Sequence, residues 1–210
     1  MTLCVPKGVD VFEVDPVFRR DEWMQLRRNG VTASEIAALF QQHPYLDMAT
    51  LLRRKLKGDP DKPSSYMLAG REHEPGIALR LAWENRNWRV ERPQVFLRHR
   101  ATGLGCTLDG TVREIPGDPE KWLKSLEIKS ASRREYPELA KRAKIYARMQ
   151  ALVGAMLLDA DGALVVVGER SGYGQGGMTI HEVKRHSALE RAIYVKAAAF
   201  KKRIEELRAR

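Results

Sequence analysis

Apolar positions follow a helical period through the first third of the chain, a strand period through the middle, and a mixture of the two afterwards. Asp15 before Pro16 reads as a helix cap with proline at the first helical position, and Gly30 stops that helix after the basic pair Arg27 and Arg28. Thr32-Ala33-Ser34-Glu35 has the form of a capping box opening the apolar pattern Ile36, Ala37, Leu39 and Phe40. Ser34 is therefore expected in the first turn of a second helix, at its positive end. Met48 to Lys57 and Tyr66 to Arg86 carry helical spacing. The latter is expected to bend or restart at Pro75, and Gly58 to Ser64 forms an exposed loop.

From Trp88 the period shortens. Trp88 to His99, Gly103 to Glu114 and Trp122 to Ser130 read as strands of an antiparallel meander, punctuated by turns at Ala101 to Gly103 and at Pro116-Gly117-Asp118-Pro119. Tyr136 to Leu158 returns to helical spacing and is closed by Asp159-Ala160-Asp161-Gly162. Two further strands follow, Ala163 to Arg170 and Met178 to Lys184, joined by the glycine-rich Gly172 to Gly177. A last helix opens at the capping box Ser187 to Glu190. The expected organisation is one domain over residues 1–210. It comprises a helical N-terminal part (1–87), a sheet-bearing core (88–184) and a C-terminal helix (187–210).

Composition narrows the partner. The 210 residues carry a formal net charge of +10, which favours an anionic partner, nucleic acid foremost. No apolar run approaches the roughly 20 residues of a membrane span, and the first residues lack a signal pattern, so a cytoplasmic protein with no membrane contact is expected. Cys4 and Cys106 are the only cysteines, too few for a disulfide framework or a four-cysteine metal site, and both are expected as free thiols.

The chemistry concentrates in two of the strands. Alternation puts Glu127 and Lys129 on one face and Leu126 and Ile128 on the other; likewise Thr107 and Asp109 oppose Cys106 and Leu108. Paired strands would gather Thr107, Asp109, Glu127 and Lys129 over an apolar layer. Two carboxylates and an amine converging on a point are what a Mg²⁺-dependent phosphodiesterase needs, because hard cations take oxygen ligands and an amine can steer or deprotonate the attacking water. An acid-x-lysine triplet alone is more often a salt bridge on an exposed sheet face.

With its company the triplet resembles a known family. Trp23-x-x-Leu26-Arg27 leads to Gly30-Val31-Thr32-Ala33-Ser34-Glu35, then Gly70-Arg71-Glu72-His73-Glu74-Pro75. Leu108-Asp109-Gly110, Leu126-Glu127-Ile128-Lys129 and Tyr146-Ala147-Arg148-Met149-Gln150 follow in order. This series is similar to the lambda-type phage exonucleases, the YqaJ-like viral recombinase branch of the PD-(D/E)xK nucleases. Leu108 departs from it, standing where the motif has proline.

The resemblance implies an α/β restriction-endonuclease-like fold with a central mixed β-sheet flanked by helices. It also implies roles. Asp109, Glu127, the Ile128 backbone carbonyl and Glu74 would hold two Mg²⁺ ions, with Mn²⁺ as a substitute; Lys129 would activate water, losing its proton more easily beside two cations; Gln150 would orient the water or a phosphate oxygen. Arg27, Ser34 and Thr107 would bind the 5′-phosphate of a DNA end, with Arg28 replacing Arg27 if the alignment slips by one. His73, about 100° around the helix from Glu74, is expected on the surface. The implied activity is 5′-to-3′ digestion of one strand of linear duplex DNA to mononucleotides, leaving a 3′ tail for a single-strand annealing protein. A ring-shaped homotrimer, encoded by a phage or prophage and working in a bacterial cytoplasm, completes the expectation. A restriction-like endonuclease and a catalytically inactive DNA-end-binding module are the alternatives.

Overall fold

The computed structural model describes residues 5–14, 18–58, 65–115, 124–170 and 176–210. The expected cap at Asp15-Pro16, most of the loop after Gly58, the Pro116 to Pro119 turn and the glycine-rich link before Gly176 lie outside them. In chain order the elements are β1 (Val9–Glu13), α1 (Arg20–Arg28), a short 3₁₀ helix (Ile36–Phe40), α2 (Met48–Lys57), α3 (Ser65–Glu84), β2 (Trp88–Glu91), β3 (Val95–His99) and β4 (Gly105–Thr107). There follow β5 (Gly110–Glu114), β6 (Lys124–Ala131), α4 (Tyr136–Lys141), α5 (Ile145–Leu158), β7 (Gly162–Glu169), β8 (Met178–Lys184) and α6 (Ser187–Arg208).

The central five-stranded sheet has the order β2-β5-β6-β7-β8 and is mixed: only β6 and β7 run parallel, joined by the crossover through α4 and α5. Its two faces are both covered, as alternation along β6 and β7 requires. Leu126, Ile128, Leu164 and Val166 point to one side, where Ile77, Ala78 and Leu81 of α3 close over them. Ala163, Val165 and Val167 point to the other, beneath Ala147, Ala151, Leu152 and Ala155 of α5. Strand β7, buried along nearly its whole length, is central and reads accordingly as a continuous apolar run.

Several expected elements are divided. The N-terminal part is not wholly helical, because Val9–Glu13 pairs antiparallel with β3 and, through β3, with β4 in a second, three-stranded sheet. The helix expected over Tyr136 to Leu158 breaks at Arg142 and Lys144, which are extended where the apolar spacing has not yet begun. The segment after the capping box forms a short 3₁₀ helix, ended by Gln41 at φ 55°, instead of an α-helix, and Ser34 lies in the turn before it and not in a first helical turn. Helix α3, by contrast, runs unbroken through Pro75.

The largest difference is in the meander. The two strands expected over Trp88 to His99 and Gly103 to Glu114 each cross from one sheet to the other. Their outer halves pair as β3 with β4, and their inner halves as β2 with β5. Phe96 faces Thr107 but Glu91 faces Thr111, so the first strand spends one more residue than the second in turning the corner. An extra residue on one strand is a β-bulge, which bends the pair and re-aims nearby side chains. Arg92-Pro93-Gln94 forms the outside of this bend and Leu108-Asp109 the inside.

Gly110 makes the corner possible. A side-chain carbon there would lie 2.9 Å from the Glu91 carbonyl oxygen and 2.9 Å from Leu126 Cδ2. Gly110→Ala is therefore expected to destabilise the protein by about 1–3 kcal/mol through overpacking, read as a lower urea midpoint. An unchanged midpoint would contradict the close approach of β2, β5 and β6 at this point.

Candidate active site

The corner delivers Asp109 to the side of β6. Pairing of β5 with β6 ends at Gly110 opposite Leu126, so the next backbone amide of β6 on that edge is free of a strand partner there. The Asp109 carboxylate takes it: Ile128 N donates to Oδ2 at 2.8 Å. The N–H and C=O of one residue in an extended strand point to the same side, so the Ile128 carbonyl also faces this edge.

Register places Glu127 and Lys129 on the α5 side of β6, as expected. The face is not an exposed one. Glu127 is 3% exposed, so the salt bridge within the triplet is a buried one and not the sheet-surface pair such triplets usually form. Lys129 Nζ lies 2.6 Å from Glu127 Oε1 and donates to Gln150 Oε1 at 3.1 Å. The approach to Oε1 is an ion pair without hydrogen-bond alignment, leaving that buried oxygen with no hydrogen-bond donor among the described residues. Glu74 reaches the group from α3 and is held by Arg92, whose Nη2 donates to Oε2 at 3.3 Å while its Nε donates to the Asp109 carbonyl at 3.1 Å. One guanidinium from the bulge thus ties the corner to α3.

The electrostatics are those of carboxylates short of positive charge. Burial, then the charge of Asp109, pushes Glu127 up to about 8 against the pull of Lys129. Burial and Asp109 raise Glu74 to about 7 against Arg92, Lys129 and Arg71. Asp109 is also raised, by burial, although Lys129, the Ile128 amide, Arg92 and Arg71 all oppose it. The lysine responds inversely. Burial favours its neutral form, but Glu127 and Asp109 outweigh that and hold Lys129 charged, well above the ordinary amine value. Carboxylates thus favour the charged amine, and the easier loss of its proton that the resemblance implies would need cations beside it.

These residues suit a divalent metal. Asp109, Glu127, Glu74 and the Ile128 carbonyl are all hard oxygen donors, Glu127 Oε1 has only the Lys129 ammonium beside it among the described residues, and the carboxylates destabilise one another for want of positive charge. Among the described residues the carboxylates are not drawn into a closed ligand cluster. The side chains of Lys129 and Arg92 supply the compensating charge instead.

A second polar group lies at the other end of β4. The segment before the 3₁₀ helix is stitched to that strand, Ala33 N donating to the Gly105 carbonyl at 2.7 Å and Gly105 N to the Val31 carbonyl at 3.0 Å. Glu35 reaches back to the Thr32 amide at 2.9 Å, the capping-box bond expected from sequence, now serving a 3₁₀ turn. Its carboxylate also holds Lys55 Nζ at 2.7 Å and Arg27 Nη2 at 3.3 Å. Arg27 Nη2 is 3.3 Å from Ser34 Oγ, and its guanidinium lies 4.3 Å over the Trp23 ring. The Trp23 Nε1 donates to Thr107 Oγ1 at 2.8 Å. Arg27, Ser34 and Thr107 are thus brought into one neighbourhood, and Thr107 stands two residues from Asp109. Arg28 is turned away, against Gly58 and donating to the Leu56 carbonyl at 3.4 Å.

The residues that sequence reasoning missed are mainly the ones holding others in place. Trp23 and Arg71 stand inside the quoted motifs without an assigned role, whereas Arg92 carries no signal beyond preceding a proline. Glu35 was legible only as part of a capping box, and Lys55 only as a position within the Met48 to Lys57 helix. His43, half-buried with its ring 5.9 Å from Tyr146, is held below the ordinary histidine value by burial and by the Lys129 and Arg54 charges against the pull of Glu35. Cys106 lies behind both groups, and burial, with Glu127 and Asp109, pushes its thiol well above the ordinary range, so it is an inert core residue.

The sequence pattern of the YqaJ-like viral recombinase domain matches residues 22–150, a span that runs from α1 to Gln150. Among solved structures, LHK-Exo in complex with dAMP is 23% identical over 89% of this chain and 93% of that chain, with a TM-score of 0.69. The alkaline exonuclease LHK-Exo from Laribacter hongkongensis is 24% identical over 89% and 93%, with a TM-score of 0.67. At that identity the likeness shows a common fold, a mixed sheet flanked by helices. No curated protein matches the chain.

Two pH dependences follow. Glu35 is depressed from 4.5 to about 2: burial opposes its charge, but Lys55 and Arg27 prevail. Its stabilisation is present above 4.5 and lost as pH falls towards 2, on the order of 3 kcal/mol in all. Glu35→Gln should flatten the acid limb of a urea-midpoint-against-pH curve; an acid limb like that of the wild type would remove Glu35 as its source. The raised groups act oppositely. Stability that Glu74 and Glu127 leave intact below 4.5 is lost as pH rises through about 7 and 8. A divalent cation held by these carboxylates would have to displace those protons, so the Tm gain on adding Mg²⁺ should be small at pH 5 and grow to pH 8. A gain independent of pH would place the ion elsewhere.

Proposed function

The chain belongs to the family of YqaJ-like viral recombinase domains, and on that premise we propose that it is a Mg²⁺-dependent exonuclease. In this reading it degrades the 5′-ended strand of linear duplex DNA to mononucleotides. The observation that carries the reading is the joining of two groups through one strand end. Trp23, beneath Arg27, bonds Thr107 at 2.8 Å, and Asp109 follows two residues later with Ile128 N at 2.8 Å. An anion pocket and a carboxylate cluster joined through Thr107 and Asp109 suit a substrate whose terminal phosphate and next phosphodiester are held together.

Asp109, Glu127, the Ile128 carbonyl and Glu74 would hold the metal. When bound, two Mg²⁺ ions, or Mn²⁺ in their place, polarise the phosphoryl group and lower the pKa of water. Lys129, fixed between Glu127 Oε1 and Gln150 Oε1, presents an ammonium that orients the nucleophilic water, and Gln150 aligns that ammonium. Arg27 and Ser34 bind the terminal 5′-phosphate, the guanidinium giving charge-assisted bonds and Ser34 a hydroxyl; Thr107 adds a second hydroxyl beside the catalytic strand. Glu35 offsets part of this charge, so the pocket takes a phosphate without locking it in place.

The net charge of +10 suits a polyanionic substrate, and no helix among the described residues is long and apolar enough to cross a membrane. Family membership further supports residues 1–210 as one exonuclease domain and a ring-shaped homotrimer threaded by DNA. It likewise supports a 3′ tail passed to a single-strand annealing protein, and a phage or prophage gene expressed in a bacterial cytoplasm.

The test uses duplexes labelled at the 5′ or 3′ end, with and without a 5′-phosphate, and a covalently closed circle, each in Mg²⁺ or EDTA. Mononucleotides released from 5′-phosphorylated linear ends only in Mg²⁺, with the circle intact, are expected; cutting of the circle would make the protein an endonuclease. Lys129→Ala should lower the rate about 10²–10³-fold while binding of the labelled duplex is kept, and digestion at the wild-type rate would remove the lysine from the chemistry.

A further inference from the structure

Among the described residues, the positive side chains named above around the two polar groups are, with one exception, already committed to protein partners. Arg27 is shared by Ser34 and Glu35, Lys55 by Glu35 and the Arg27 carbonyl, Arg92 by Glu74 and the Asp109 carbonyl, and Lys129 by Glu127 and Gln150. Arg71 is the exception. Among the described residues its one close partner is the Trp23 ring, 5.6 Å from its guanidinium to the centroid, and it makes no hydrogen bond or ion pair. It is half-buried, neither sealed in the core nor fully exposed.

Its position is set from two directions. On α3 it precedes Glu74 by three residues and so shares that residue's face of the helix. Through the Trp23 ring it adjoins Arg27, on the same indole that bonds Thr107. Its charge also acts on both Asp109 and Glu74, drawing their carboxyls down against burial. Arg71 therefore stands between the terminal-phosphate pocket and the carboxylates, in reach of each and spent on neither. Trp23 aligns the planar group by stacking and removes little of its hydrogen-bonding capacity.

We propose that Arg71 binds the scissile phosphodiester itself, with its guanidinium fork on the non-bridging oxygens, as the strand passes from the Arg27 pocket to the carboxylate cluster. This rests on the exonuclease reading and gives it a specific division of labour. Arg27 recognises what the end carries, and Arg71 grips the bond that breaks. A fork matches two phosphate oxygens where an ammonium offers a point charge, so lysine is an imperfect substitute.

The experiment compares wild type, Arg71→Ala and Arg71→Lys on 5′-phosphorylated and 5′-hydroxyl linear duplexes in Mg²⁺. Tm is measured for each, with duplex binding in EDTA over a salt series. Expected for Arg71→Ala are a fall of about a hundredfold in kcat on both substrates, an unchanged ratio between them, and a salt slope lower by about one phosphate contact. Arg71→Lys should keep the wild-type Tm and salt slope yet lose at least several-fold in kcat, so the lysine variant decides the matter if the alanine variant is unstable. A loss confined to 5′-phosphorylated ends would move Arg71 into the terminal pocket and overturn the proposal, as would kcat within twofold of wild type in both variants. A wild-type protein that leaves every duplex intact would overturn the exonuclease reading instead, and the inference with it.

Discussion

Everything at the candidate site depends on carboxylates held in a place that water cannot neutralise. Moving an ion from water into a protein interior costs several kcal/mol even after relaxation, more than the burial of a leucine recovers. Glu127 is nonetheless buried on β6, Asp109 is turned against the same strand by the corner between β4 and β5, and Glu74 is brought in from α3. The fold meets this cost with Lys129, Arg92 and the Ile128 amide, and meets it incompletely, since all three carboxyls remain above their ordinary values. A site so arranged favours added positive charge. That unfinished neutralisation links the packing of the core to the chemistry proposed for it.

The second polar group is balanced by contrast. Glu35 satisfies Lys55, Arg27 and the Thr32 amide, and its carboxyl is driven down to about 2. The difference is one of purpose. A carboxylate that organises two cations fixes a pocket able to take an anion, whereas carboxylates short of cations make a site able to take a metal. Both are attached to β4 and its continuation, one through the Gly105 backbone and the other through Asp109, so their separation is set by a strand and not by a loop.

Much of this was legible before any coordinates. The β6 register, with Leu126 and Ile128 towards a core and Glu127 and Lys129 away from it, followed from alternation alone, and the capping box at Thr32 to Glu35 predicted the Glu35-to-Thr32 bond. What alternation could not show is that the opposite face is covered as well, because periodicity does not distinguish water from a helix such as α5. Nor could it show that the strands around Arg92 and Leu108 turn from one sheet into another. A bulge changes pairing without breaking the apolar pattern, and Gly110 is justified only by its distance from Glu91 and Leu126. The supporting residues Arg92, Lys55 and Trp23 were hidden for a related reason: their partners lie far along the chain, and no local spacing encodes an 84-residue separation such as that between Trp23 and Thr107.

If the Asp109 corner and β6 form an incompletely neutralised carboxylate site that takes divalent metal, anomalous diffraction from crystals soaked in Mn²⁺ will reveal it. The expected result is a peak at metal–oxygen bonding distance from the carboxylates of Asp109 and Glu127, with Lys129 moved off Glu127 Oε1. Density for Mn²⁺ only at other acidic surfaces, with the Lys129–Glu127 pair intact, would contradict it.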